Sequence, residues 1–237
     1  MNIIEVKNLN KSFKVGNEEV HVLKDINLNV KKGEFLSIMG PSGGGKSTLL
    51  YLLGGLDKPT DGKVLISGRD LSTIKEKEMS KLRRNNIGFV FQFYNLVPNL
   101  SVEDNILLPI TLDGKSVKKY EKKLDEILKI IGMENKRNVT PRELSGGQQQ
   151  RVAIARALIF EPDIIFLDEP IGNLDSKTGV EIMELFKKIN VELGKTLIQV
   201  THSHESALYG TSIVRLVDGE IIGREEVTNN EKEYELA

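Results

Sequence analysis

The sequence predicts an α/β protein: a mainly parallel sheet with an antiparallel β edge and an inserted block of helices. Three observations lead there. Short apolar runs that read as buried strands alternate with segments of helical spacing, the pattern of crossover connections in a parallel sheet. The stretch 93–163 breaks that alternation and reads mainly as helix. The first thirty residues show apolar–polar alternation around turns, as antiparallel strands with one wet face do.

The elements follow in chain order. Ile4, Val6 and Leu9 alternate with polar neighbours, as do Ile26, Leu28 and Val30, and Gly16-Asn17 lies between them as a turn. Lys31-Lys32-Gly33 is a second turn, and 35–39 is a short apolar run suited to a buried strand. A glycine-rich loop comes next, then an apolar helix over 49–53 that Gly54-Gly55 stops. Residues 64–66 and 87–91 read as strands. Within 101–160, Leu124, Ile127, Leu128 and Ile131 share one face of a charged helix. Beyond Pro162, apolar strands at 164–167 and 196–200 flank a helix over 177–193, whose apolar face is assigned to Val180, Met183 and Phe186 with Ile182 and Ile189. Asp218-Gly219, between Leu216-Val217 and Ile221-Ile222, signals a two-residue hairpin. The expected organisation is one domain over 1–227: a core from 1–92 and 164–227, a helical insertion at 93–163, and a polar tail at 228–237 that frays.

Composition narrows the function. With 33 Lys+Arg against 34 Asp+Glu in 237 residues, the chain has no excess positive charge with which to grip nucleic acid. It contains 0 cysteines, which excludes disulfides, thiolate metal sites and cysteine nucleophiles. The amino terminus lacks the charged and apolar regions of a signal peptide. No stretch reaches the ~18 uninterrupted apolar residues of a membrane helix, so a soluble chain is expected and any membrane role must come through a partner.

Gly40-Pro41-Ser42-Gly43-Gly44-Gly45-Lys46-Ser47 fits G-x-x-x-x-G-K-[ST] between an expected strand and an expected helix. Glycines let the backbone curl so that successive N–H groups face phosphate oxygens, and the helix N-terminus adds partial positive charge. Lys46 can reach β- and γ-phosphates, and the Ser47 hydroxyl can ligate Mg²⁺. A chance match arises in roughly 1 of 100 chains of this length. Phosphate binding is the stronger reading.

Downstream, the run at 164–167 ends in Asp168-Glu169. Alone, such a pair is more often a strand leaving the core for water. Beside a phosphate loop, Asp168 suits a Mg²⁺ site through water and Glu169 can polarise a water for in-line attack. Leu144-Ser145-Gly146-Gly147-Gln148 has capping-box spacing, so a helix begins there with exposed N–H groups. An ordinary capped helix would explain the spacing too. With the phosphate loop present, a second phosphate-binding helix end is more economically explained if Ser145 and Gly147 face nucleotide held by a second copy of the chain.

These residues resemble those of the ATP-binding cassette (ABC) ATPases, and the resemblance runs from about Ile4 to Val227. It implies a P-loop NTPase fold with a RecA-like core, an antiparallel β subdomain and an inserted α-helical subdomain. It assigns Gly40–Ser47, with Thr48, as Walker A, 164–168 as Walker B, Ser145, Gly146, Gly147 and Gln148 as the signature, and Glu169 as general base. Gln92 resembles the Q-loop glutamine that contacts Mg²⁺ and the attacking water, Asp175 lies in a D-loop facing the opposite site, and His202 resembles the switch histidine. Phe13 matches the aromatic that stacks on adenine. His204 competes with His202, which the position directly after Val200-Thr201 favours; His21 is read as structural. The resemblance implies ATP and Mg²⁺ as cofactors, a homodimer closing around two MgATP, and a cytoplasmic place on the inner face of the cell membrane.

Gly54 to Thr60, Leu82-Arg83-Arg84, 87–92, Asn95-Leu96, Gln148 to Arg151 and Gly172 to Gly179 bring the chain closer to exporters that pair with FtsX-type or MacB-like permeases: the lipoprotein-release, macrolide-export and bacitracin-type peptide groups. Leu167, Ile171 and Gly44 depart from that group's usual alanine, threonine and serine; none removes a catalytic group. Phe93 to Pro98, apolar yet in a loop, is the expected permease contact, through Tyr94 and Val97. A force-transducing regulator of a membrane protein is the alternative function, and a DNA-repair or translation ABC protein a third.

Overall fold

Two β-sheets organise the chain in the computed structural model, which describes residues 1–228. β1 (Asn2–Val15) and β2 (Glu18–Lys31) pair antiparallel across the Gly16-Asn17 turn. With β4 (Asp61–Ile66) and β5 (Arg69–Asp70) they form a four-stranded sheet in the order β2-β1-β4-β5. This is the antiparallel edge that the alternating pattern predicts.

The second sheet has six strands in the order β10-β9-β3-β8-β7-β6. Here β3 is Phe35–Met39, β6 Ile87–Phe91, β7 Ile164–Asp168, β8 Thr196–Thr201, β9 Ser212–Val217 and β10 Glu220–Glu226. Neighbours pair in parallel except β9 and β10, which form the Asp218-Gly219 hairpin. Alternate side chains of β7 enter opposite cores. Ile164 and Phe166 join α1 (Lys46–Leu53) and the N-terminal sheet, while Ile165 and Leu167 join the helices on the other face. Because both faces are covered, the strand reads as an unbroken apolar run.

The helices on that second face are α3 (Val102–Leu112), α4 (Glu121–Ile131) and α5 (Gly146–Leu158), which lie between β6 and β7, and α6 (Ser176–Leu193). Leu124, Ile127, Leu128 and Ile131 are buried on α4, as their spacing requires. The polar α2 (Glu76–Asn86) buries only Met79. α7 (His204–Ala207) is a single turn capped by Ser203.

One assignment fails. Val180 is 52% exposed, whereas Ile182, Met183, Phe186 and Ile189 are buried. The buried stripe of α6 runs through Gly179, Met183 and Phe186, so Val180 falls instead in line with Glu184, Lys187 and the exposed Val191. From residue 229 on, the polar tail lies outside the described residues.

Register explains where a site can form. Met39 pairs with Thr201, Asp168 with Val200 and Phe91 with Asp168. The carboxyl ends of β3, β6, β7 and β8 are therefore level, and Gly40, Gln92, Glu169 and His202 leave the sheet along one edge. Open parallel sheets bind their ligands at that edge.

Candidate nucleotide-binding and catalytic site

The loop from β3 to α1 wraps around a cation. Gly45, at φ 91, caps α1 in a conformation that side chains resist. The Lys46 ammonium donates to the carbonyls of Gly40 and Pro41, each at 2.9 Å, and the residue is buried. Both partners are neutral, so an anion entering the loop meets a charge that no carboxylate in it compensates. Gly44 is buried beside the lysine, Pro41, Ser42 and Gly43 are exposed at the rim, and Thr48 is half-buried.

Asp168 is held from both sides by α1. The Ser47 hydroxyl donates to Oδ1 at 2.9 Å and the Tyr51 hydroxyl to Oδ2 at 2.5 Å. Burial, with the Asp168 hydrogen bond and charge behind it, pushes the Tyr51 phenol up to about 12. The sequence reading missed Tyr51. Its signal was spacing, since positions 47 and 51 lie four apart on one helix face.

Glu169 and His202 come together. Glu169 Oε1 lies 3.1 Å from His202 Nδ1, and the carboxylate is far less exposed than the imidazole. Glu169 sits at φ 47, where a non-glycine residue costs of order 1–3 kcal/mol, and such strain clusters at functional sites. Its N–H donates to the Val200 carbonyl at 3.1 Å, which fixes the carboxylate's origin against β8. Gln92 joins a different neighbour: its Nε2 donates to Asn173 Oδ1 at 3.2 Å, and Asn173 Nδ2 donates to the Gln92 carbonyl at 3.0 Å. The segment after Asp168-Glu169 is thereby tied to the end of β6.

Ser145 caps α5 as a capping box: its Oγ accepts from the Gln148 N–H at 3.3 Å, and its N–H donates to Gln148 Oε1 at 3.1 Å. Gly147 packs against Thr178, whose N–H and hydroxyl donate to the Asp175 carboxylate at 3.0 and 2.6 Å. Those donors hold the Asp175 carboxyl below its ordinary range. Gln150 Nε2 donates to the Pro170 carbonyl at 2.6 Å, joining α5 to the residue after Glu169. Ser145 and Asp175 thus stand at the starts of two helices that touch where Gly147 meets Thr178, while Ser47 and Asp168 are joined by a hydrogen bond of their own.

Phe13 is 41% exposed, and the Lys11 ammonium lies 4.6 Å from its ring centroid. Lys11 is itself paired with Asp57 at 2.7 Å, so the ring rests on an anchored cation. His21 Nδ1 lies 2.8 Å from Ser12 Oγ within the β1–β2 pair. His204 opens α7 and is exposed. In the apolar loop Phe93 is 70% exposed, but Tyr94 turns inward, its hydroxyl against Gly146. Arg156 on α5 pins this loop by donating to the carbonyls of Tyr94 and Asn95 at 2.8 and 2.6 Å.

Comparison with known proteins gives the same family throughout. Residues 23–172 match the family described as ABC transporter. An ABC transporter ATP-binding protein of Methanocaldococcus jannaschii, MJ0796, is 49% identical over 223 residues, 92% of this chain and 95% of that protein. Its dimeric post-hydrolysis structure bound to ADP and Pi superposes with a TM-score of 0.86 at 47% identity, covering 95% of this chain and 99% of that one. The lipoprotein-releasing system ATP-binding protein LolD 1 of Rhodopseudomonas palustris is 43% identical over 93% of this chain and 99% of its own. The macrolide export ATP-binding/permease protein MacB of Mannheimia succiniciproducens is 45% identical over 94% of this chain, which spans 34% of that longer protein.

Proposed function

The chain belongs to the ABC transporter family as an ATP-binding, ATP-hydrolysing subunit, and from that premise we propose a division of labour among its residues. One arrangement carries the reading: the Glu169–His202 pair stands at the sheet's carboxyl edge, one residue from an Asp168 already engaged by Ser47.

In this reading the backbone of Gly40 to Thr48 takes the phosphates, Lys46 exchanges its carbonyl partners for β- and γ-phosphate oxygens, and Phe13 stacks on adenine. The oxygen donors fit Mg²⁺. Ser47 gives its proton to Asp168 and keeps lone pairs for a cation, with Asp168 reached through water and Gln92 adding an amide oxygen. No group of three or more His, Cys, Asp or Glu among the described residues forms a protein cage for a metal, in keeping with an ion held largely by phosphates and water. Mg²⁺ bound there supplies charge neutralisation on the β- and γ-phosphates. Glu169 accepts the proton of a water whose oxygen bonds to the γ-phosphorus as the bridge to the β-phosphate breaks. His202 orients that carboxylate and reaches the γ-phosphate.

Ser145, Gly146, Gly147, Gln148 and Asp175 complete the site of a second copy in an ATP-sandwich homodimer. Ser145 and Asp175 are both exposed at the starts of their helices, which supports this, as does the dimeric state of MJ0796. Among the described residues no helix is long and apolar enough to cross a membrane. A separate FtsX-type permease supplies the passage, with this chain on its cytoplasmic side. The cargo belongs to the lipoprotein, macrolide or antimicrobial-peptide classes, and residues 93–163 form the subdomain that transmits force.

Glu169→Gln tests the reading. It keeps the side chain's shape but removes the base and one charge that opposes the γ-phosphates. Size-exclusion chromatography with MgATP should show a stable dimer with turnover lowered by about 10²-fold or more. A variant that binds ATP tightly yet stays monomeric would refute the composite site.

A further inference from the structure

We propose that Tyr51 is a positioning residue for the metal half of this site: it locks the Asp168 carboxylate so that Ser47 presents its lone pairs to the cation. The inference rests on the nucleotide site proposed above and assigns a residue that the phosphate-loop motif leaves out.

The geometry makes the case. A carboxylate at a strand end can turn about its terminal torsion, which is broad and roughly two-fold. In Asp168 both oxygens are taken, Oδ1 by the Ser47 hydroxyl at 2.9 Å and Oδ2 by the Tyr51 hydroxyl at 2.5 Å. Both donors come from α1, so the helix that carries the phosphate loop also clamps the carboxylate. Tyr51 is braced in turn, with its ring edge-on to Phe91, centroids 6.5 Å apart, and Phe91 immediately precedes Gln92.

Each bond has a consequence. While Oδ1 holds the Ser47 proton, the lone pairs of Ser47 Oγ point away from Asp168. Without the Tyr51 hydroxyl the carboxylate is free to twist about that torsion, which takes Oδ1 out of line with the Ser47 hydroxyl and lets the Ser47 proton turn toward the cation. Outer hydrogen-bond partners of metal sites typically affect affinity by about 10–100-fold, and Tyr51 belongs at the low end because it acts through Asp168.

Tyr51→Phe keeps the ring and its packing on Phe91 and removes only the hydroxyl. Binding of Mn²⁺ to the full chain with a non-hydrolysable ATP analogue is followed by the electron paramagnetic resonance signal of free Mn²⁺. Affinity for the analogue in EDTA is measured alongside by calorimetry. The expected result is Mn²⁺ binding weakened about 10-fold, analogue affinity without metal unchanged, and the thermal midpoint within a degree or two of the parent. Ser47→Ala should lose more metal affinity than Tyr51→Phe. Unchanged or tighter Mn²⁺ binding in Tyr51→Phe would overturn the assignment. So would an equal loss of analogue affinity with and without metal, the mark of a merely structural role. A parent chain that binds no Mn²⁺ with the analogue would instead refute the metal site itself.

Discussion

A Cβ placed on Gly147 would fall 2.3 Å from the Cγ2 methyl of Thr178, so the helix behind Ser145 and the helix behind Asp175 meet at a point that admits only glycine. Gly147→Ala should therefore lower ATPase activity steeply, by about 10²-fold, the scale of losing one donor to the transferred group. The substitution favours helix by about 1 kcal/mol, so unfolding of α5 is not the expected cause. Thr178→Ser deletes that methyl but keeps the hydroxyl that donates to Asp175 at 2.6 Å. Adding it to Gly147→Ala should recover at least about tenfold of the lost rate. A double variant no better than Gly147→Ala would contradict the steric account.

The apolar loop makes a second prediction. Phe93 is 70% exposed whereas the Tyr94 hydroxyl lies against Gly146, so the two neighbours have opposite duties. In the assembled transporter, Phe93→Asp should uncouple transport from hydrolysis, with ATPase activity kept within about twofold, as an exposed change allows. Tyr94→Asp should reduce both, because it disturbs the start of α5. Transport and phosphate release in reconstituted vesicles measure this, and unchanged transport by Phe93→Asp in an intact complex would exclude the loop as the permease contact.

Local chemistry explains how much could be read beforehand. The run at 164–168 is legible because a strand covered on both faces has no polar position until its carboxylates. The phosphate loop and the Ser145 cap are legible because backbone geometry dictates their residue types. Relations between distant segments are not. Asn173 reaches Gln92, Gln150 reaches Pro170, and Thr178 fills the space above Gly147, all through contacts that local periodicity does not encode. Val180 departs from the expected stripe because an apolar residue near its end fits two faces, and the burial of the neighbouring Gly179 decides which one faces the core. Tyr94, an apolar-bodied residue in a loop, looked like surface until its partner was visible.

Acid should loosen the tie between the inserted helices and the core. Arg84 on α2 donates to Asp113 at the end of α3 at 2.7 Å, and Lys115 stands 2.9 Å from the same carboxylate. The Lys115 hydrogen bond first, with Arg84 beside it, holds the Asp113 carboxyl below its ordinary 3.8. A carboxyl depressed in the folded chain adds stability that is present above its unfolded value and lost as pH falls through its folded one. Asp113→Asn should therefore melt about 1–3 °C below the parent at pH 7, as fits an exposed ion pair, and the gap should close as pH falls below about 4. A gap that persists undiminished at pH 3 would show that the effect is not electrostatic.

If each hydrolytic site is built from two chains, two inactive variants should restore each other when mixed. Lys46→Ala removes the buried ammonium of the phosphate loop, and Ser145→Arg blocks the capped start of α5. In a heterodimer of the two, both lesions fall in one site and the other site is intact; a homodimer of either variant has no intact site. ATPase activity, near background for each variant alone, should reappear on mixing and rise with total protein concentration. Activity that stays at background at every mixing ratio, together with a parent chain whose specific activity is unchanged by dilution, would contradict the two-chain site.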